Sequence, residues 1–154
     1  MIEVNNLTAV RVEEGFLKTI AKKVLIGENK KNLGVSIALV GRTEIKELNR
    51  KYRGKNKATD VLSFLYQARS DRARVKEEGG ALFAYGDSGE IIICLSEVRE
   101  NAGKPASTFK RELCKVLIHG ILHLAGYNHE KSQSGAKKME EKQNHYLKLC
   151  QRLI

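Results

Sequence analysis

Three of the chain's four histidines, His119, His123 and His129, fall within eleven residues, in the segment HGILHLAGYNH. His119 and His123 are four residues apart, so on a helix they stand about 40° apart on one face, one turn above the other. Two imidazoles so placed reach the same ion. Gly126 follows, the residue type that most readily takes the left-handed conformation that ends a helix and turns the chain back. That turn carries His129 toward a third corner. Three neutral imidazoles and a water make a tetrahedral zinc site with one open position, the pattern of a catalytic rather than a structural zinc. The residues therefore predict one Zn2+ ion held by His119, His123 and His129, its full charge available to make water a nucleophile at neutral pH. A single histidine more often sits in solvent or in a core, and His145, apart from the others, is read as solvated.

The spacing H-x-x-x-H-x-x-G-x-x-H is that of the metzincin proteases, which place Glu directly after the first histidine to deprotonate the water. Here that place is Gly120. A metalloprotease-like hydrolase would need its base from elsewhere, from Glu112 or Glu130. Glycine inside a helix costs about 1 kcal/mol against alanine, so its missing side chain is expected to have a use: room beside the metal for a phosphodiester. Glu112 lies two turns before His119 on the same face. It reads either as a solvated residue at the helix start or as a carboxylate that orients His119.

The elements that must position these groups are legible from periodicity. Residues 2–4 form a short strand, and 12–25 a helix with Phe16, Leu17, Ile20 and Val24 on its apolar face. Residues 33–40 are apolar and β-branched enough for a buried strand, Thr43 caps a second helix, and 60–66 and 90–95 are further strands. A helical turn covers 96–102. The longest helix, 106–125, buries Phe109, Leu113, Val116, Leu117, Ile121 and Leu124 opposite its histidines, and a polar helix spans 133–153. Residues 67–89 show no clear period, and a loop of that length is usually functional or mobile. This β-α-β-α-β-β-α-α order describes an α+β fold, a small mixed sheet with helices packed on it.

A chain of 154 residues suits one domain spanning 1–154, and 42% hydrophobic with 30% charged residues describes a soluble globular protein. No apolar run approaches the ~20 residues that span a bilayer. The N-terminus MIEVNNL lacks the basic start and apolar stretch of a secretory signal. Cys94, Cys114 and Cys150 are odd in number and widely spaced, which fits reduced thiols in the cytoplasm.

The net charge of +10 suits a polyanionic partner. Half of it lies between Arg42 and Lys57, where seven basic residues face two acidic ones. Within that segment Arg53, before Gly54, is the candidate for phosphate, because its planar fork binds phosphate through two bonds. Tyr52 packs in the core or stacks on a base, the core being the commoner use, and Asp60 is expected to fix the following loop through its carboxylate.

The segment HGILHLAGYNH resembles the H-G-x-L-H-L-x-G-Y-D-H motif of the bacterial YbeY endoribonucleases. LNRKYRGKNKATDVLSF is similar to that family's L-N-x-x-Y-R-x-K-D-x-P-T-D-V-L-S-F block, and GEIIIC to its G-D-I-x-I-S strand. The three blocks occur in the same order, and the resemblance spans nearly the whole chain. It implies a zincin-like α+β fold, zinc on His119, His123 and His129, and Arg53 and His119 as catalytic residues. It also implies a single-strand-specific endoribonuclease acting in the cytoplasm on ribosomal RNA and the small subunit, in 3′-end maturation and ribosome quality control, with neither membrane nor DNA as partner. A non-catalytic ribosome assembly factor is the other reading. Asn128 replaces the motif's Asp, Asn56 and Glu90 each replace an Asp, and Ala58 and Leu65 stand where Pro is frequent. Arg69, Arg72, Arg74 and Lys76 are candidate further RNA contacts or plain solvated coil.

Overall fold

The computed structural model describes residues 1–66, 74–76, 82–84, 87–103, 108–128 and 132–154. Strands β1 (Ile2–Asn6), β2 (Gly34–Val40) and β6 (Ser88–Cys94) run parallel, and β3 (Val61–Tyr66) runs antiparallel to β6, giving the order β1-β2-β6-β3. β4 (Arg74–Lys76) and β5 (Leu82–Ala84) pair separately as a short antiparallel ladder inside the segment expected to be loop. Arg69 and Arg72 of that segment lie outside the described residues.

β2 is apolar along most of its length because both faces of the sheet are covered. Val35, Ile37 and Leu39 join Ile91 and Ile93 of β6 under α1 (Glu14–Gly27), α4 (Phe109–Leu124) and α5 (Gln133–Leu149), forming the larger core. Val40, Leu62, Ile92 and Cys94 point the other way and pack with Ile45 of α2 (Arg42–Arg53) in a smaller cluster. α3 (Leu95–Ala102) follows β6 directly and packs on α4. The expected core positions of α1 are buried, as are those of α4 from Leu113 to Leu124, with Phe109 partly buried at the helix start.

Several boundaries shift by one to four residues, and two of the differences have local reasons. Thr43 is not the cap of α2; the chain leaves β2 through the single residue Gly41, whose carbonyl accepts from Ile45 N at 3.2 Å. β6 begins at Ser88 rather than 90, since Ser88 and Gly89 pair with Gly34 and Val35 although neither side chain has strand character. The three cysteines are buried free thiols, as expected. Burial, with Cys150 alongside, pushes the Cys114 thiol up to about 12, which keeps it protonated and inert. Among the described residues no helix is long and apolar enough to cross a membrane.

Candidate functional site

α4 starts at Thr108, whose hydroxyl accepts from Arg111 N at 3.2 Å, and presents the half-buried His119 and His123 one turn apart. Their Nε2 atoms lie 3.1 Å from each other, with the rings nearly perpendicular at 82°. His119 Nδ1 is 2.9 Å from Gln143 Oε1 on α5. An amide oxygen only accepts, so in the neutral imidazole the proton sits on Nδ1 and Nε2 is left with its lone pair. Two nitrogens bound to one tetrahedral zinc at about 2.0–2.1 Å are about 3.3 Å apart. The observed 3.1 Å separation, with Gln143 Oε1 placed to accept from Nδ1, therefore suits a shared ion. His129 lies outside the described residues, and among those described no three His, Cys, Asp or Glu side chains gather closely enough to hold a metal.

The turn leading toward His129 is built as its sequence dictates. Gly126 takes φ 105°, Gly126 N donates to His123 O at 3.1 Å and Tyr127 N to Leu122 O at 3.0 Å, closing the end of α4. Tyr127 is then anchored across the molecule. Its hydroxyl donates to Glu28 Oε2 at 2.9 Å, Tyr146 donates to Glu28 Oε1 at 2.6 Å, and Lys142 Nζ is 3.2 Å from the same carboxylate. Burial works to raise the Glu28 pKa, but the bonds from Tyr146, Tyr127 and Lys142 outweigh it, and the carboxyl sits below its ordinary value.

His119 and His123 line a cleft of about 540 Å³ together with Arg53, Lys55, Lys57 and Ser63. The basic segment is thus divided. Arg53 at the end of α2, with Lys55 and Lys57 beyond it, faces the histidines, whereas Arg42 lies about 16 Å away along the helix axis. Arg42 is paired there with Glu97 at 2.9 Å and Glu100 at 3.1 Å. A second cleft, of about 490 Å³, meets the first at Asp60, Val61 and His119 and is lined by Glu112, Lys115, Glu140 and Gln143.

The expectations for Gly120, Tyr52 and Asp60 change. Gly120 does not open space beside the histidines: it is buried against the sheet, where a Cβ would meet Ile91 Cγ2 at 3.1 Å and Ser63 Oγ at 3.2 Å. A glutamate there would be driven into the core, so no protease-type base can act from this position. Glu112 lines the adjoining cleft, but the group bonded to His119 Nδ1 is Gln143. Tyr52 is 58% exposed rather than core. Asp60 ties its loop mainly through the main chain, accepting from Cys94 N at 2.9 Å, while Thr59 Oγ1 stands 3.5 Å from its carboxylate. His145 is exposed as expected.

Neither Asn49 nor Gln143 carries a local sequence signal of its role. Asn49 is 1% exposed and holds the cationic loop, donating from Nδ2 to Lys57 O at 2.9 Å while its main-chain carbonyl accepts from Lys55 N at 3.3 Å.

A family model described as Endoribonuclease YbeY matches residues 3–151. The chain is 40% identical over 134 residues to a protein named Endoribonuclease YbeY from Thermotoga neapolitana, covering 86% of this chain and 78% of the relative. It is 42% identical over 121 residues to the protein of that name from Thermotoga maritima, covering 77% and 70%. Among solved structures it resembles the solution structure of TM1509 from Thermotoga maritima, with TM-score 0.61, 35% identity, and 96% of this chain and 87% of that chain covered.

Proposed function

Because this chain belongs to the Endoribonuclease YbeY family, we propose that residues 1–154 act as one metal-dependent endoribonuclease domain that cleaves single-stranded RNA at the histidine cleft. The observation that carries this reading is the pair of imidazole Nε2 atoms 3.1 Å apart, one ring held by Gln143, in a cleft shared with Arg53, Lys55 and Lys57. His119, His123 and His129 would hold a single zinc ion. Bound there, zinc supplies Lewis-acid stabilisation of phosphoryl oxygens and activation of water at neutral pH.

The chain's own groups do the rest. Arg53 grips the phosphate through its planar fork and offsets the charge that builds on its oxygens as the P–O bond breaks. Lys55 and Lys57 attract the flanking backbone without reading sequence. Gln143 keeps His119 in one tautomer. The inward-facing Gly120 argues against the metalloprotease-like alternative. We assign the substrate to ribosomal RNA in the small subunit, processed at its 3′ end during maturation and quality control, in the cytoplasm.

The test is metal analysis and cleavage of a structured ribosomal RNA by wild type, His119→Ala and Arg53→Ala purified side by side. His119→Ala should lose zinc and cleavage, and Arg53→Ala should keep zinc and lose most cleavage. Both variants cleaving like wild type would mark the activity as a contaminant. A 2′,3′-cyclic phosphate product would show attack by the ribose 2′-hydroxyl, and a 3′-hydroxyl or 3′-phosphate attack by water.

A further inference from the structure

Alternate side chains of β3 serve opposite faces of the sheet. Val61, Ser63 and Leu65 line the histidine cleft, while Leu62 and Phe64 face α2 within the smaller core cluster. On that second face the aromatic residues do not end at the core. Tyr52 of α2 meets Phe64 edge to face, with ring centroids 5.3 Å apart and planes at 63°, yet remains 58% exposed. Tyr66, two residues beyond Phe64, is 54% exposed, its hydroxyl donating to Glu90 Oε2 at 3.2 Å. Phe64 and Tyr66 are two residues apart on one face of β3, and with Tyr52 against Phe64 the two exposed phenols share that face. Among the described residues β3 is the last strand of its sheet, so this strip lies at an edge.

The surroundings of the strip identify its occupant. Residues 50–57 are exposed throughout and include Arg50, Lys51, Arg53, Lys55 and Lys57. Lys51 Nζ stands 5.3 Å from the Tyr52 ring centroid. A protein-docking face is poor in lysine, whereas exposed aromatic rings interleaved with cations are what a single-stranded nucleic acid requires: charge along the backbone and flat surfaces for unstacked bases. Tyr52 is also the immediate neighbour of Arg53, which turns to the cleft.

We propose that Tyr52 and Tyr66 form a stacking platform for unpaired bases of an RNA strand whose phosphate lies in the histidine cleft, the strand crossing the edge of β3. This rests on the proposed RNA cleavage and adds a residue basis for selecting single strands, since paired bases cannot leave their stack to occupy the platform at no cost.

The test uses a non-cleavable 2′-O-methyl RNA oligomer carrying 2-aminopurine, with binding read by anisotropy and stacking by fluorescence quenching. Tyr52→Ala and Tyr66→Ala should each weaken binding on the order of ten-fold and reduce quenching. Tyr52→Phe and Tyr66→Phe should restore both, because a ring suffices. The salt dependence of binding should stay as in wild type, and unchanged melting temperatures check the folds. A double alanine variant that binds and quenches like wild type overturns the platform, as do phenylalanine variants no better than alanine. If those results accompany intact His119-dependent cleavage by wild type, only the platform fails. If wild type neither binds the oligomer nor cleaves RNA, the enzymatic reading fails with it.

Discussion

Replacing Gly120 decides between two uses of a missing side chain. A methyl at this position would sit 3.1 Å from Ile91 Cγ2, 3.2 Å from Ser63 Oγ and 3.4 Å from Ile91 Cδ1, inside the roughly 3.5–4.0 Å at which carbon atoms rest comfortably. Ile91 is fully buried and Ser63 Oγ already donates to Gly120 O at 3.2 Å, so neither side chain yields freely. Overpacking of this kind costs about 1–3 kcal/mol, and the better helix propensity of alanine returns about 1 kcal/mol. Gly120→Ala should therefore be destabilised by about 0–2 kcal/mol, which for a chain of this size lowers the melting temperature by up to about 8 °C. Gly120→Leu has no space at all; it should lift α4 from the sheet, disturb both histidines and lose zinc together with cleavage. Calorimetric melting and zinc content after dialysis are the assays. Gly120→Ala melting about 2 °C or more above wild type would show that the position is not tightly packed. Gly120→Leu melting and retaining zinc normally while losing cleavage would show instead that the glycine makes room for substrate.

Gln143→Leu removes the acceptor from His119 Nδ1 and should weaken zinc binding about 10–100-fold in a chelator competition, with melting of the zinc-free protein little changed; unchanged affinity would remove Gln143 from the site. The Glu28 carboxyl lies below its ordinary value, so its contribution to stability is complete at neutral pH and is lost as pH falls through the depressed folded-state value. Glu28→Gln should accordingly melt below wild type at pH 7, with the gap narrowing in acid; a gap independent of pH would show that the charge is not what matters. Arg53→Ala should reduce the slope of log affinity for RNA against log salt by about 0.7–1, whereas Arg42→Ala, already paired with Glu97 and Glu100, should leave it nearly unchanged. Equal effects of the two would mean that the basic segment acts only as diffuse charge.

What the sequence makes legible is what helical spacing controls. The convergence of His119 and His123, the stop at Gly126 and the buried stripe of α4 all follow from one period and one glycine. What it conceals depends on packing between distant segments. Gln143 reaches His119 across 24 residues, and Glu28 reaches Tyr127 and Tyr146 across 99 and 118, with no local pattern to announce either. Tyr52 continues the inward spacing of Ile45 and Asn49 yet is 58% exposed, since among the described residues no strand pairs beyond β3 to extend the sheet over it. Asn49 misleads in the opposite sense, a polar residue buried because the loop carrying Lys55 and Lys57 needs its amide.

These concealed contacts share a helix. Lys142 and Gln143 are consecutive on α5, and Tyr146 follows one turn later. Gln143 fixes His119, while Lys142 and Tyr146 hold Glu28, which in turn holds Tyr127 in the turn leading toward His129. α5 is itself seated by Met139, Tyr146, Leu147 and Cys150 in the larger core. Its depth on α4 thus governs two parts of the site at once: the tautomer of a histidine on α4 and the anchoring of the turn beyond it. The polar face of α5, which composition alone assigns to solvent, supports His119 and the turn after α4, and substitutions there should weaken metal binding without touching His119 or His123.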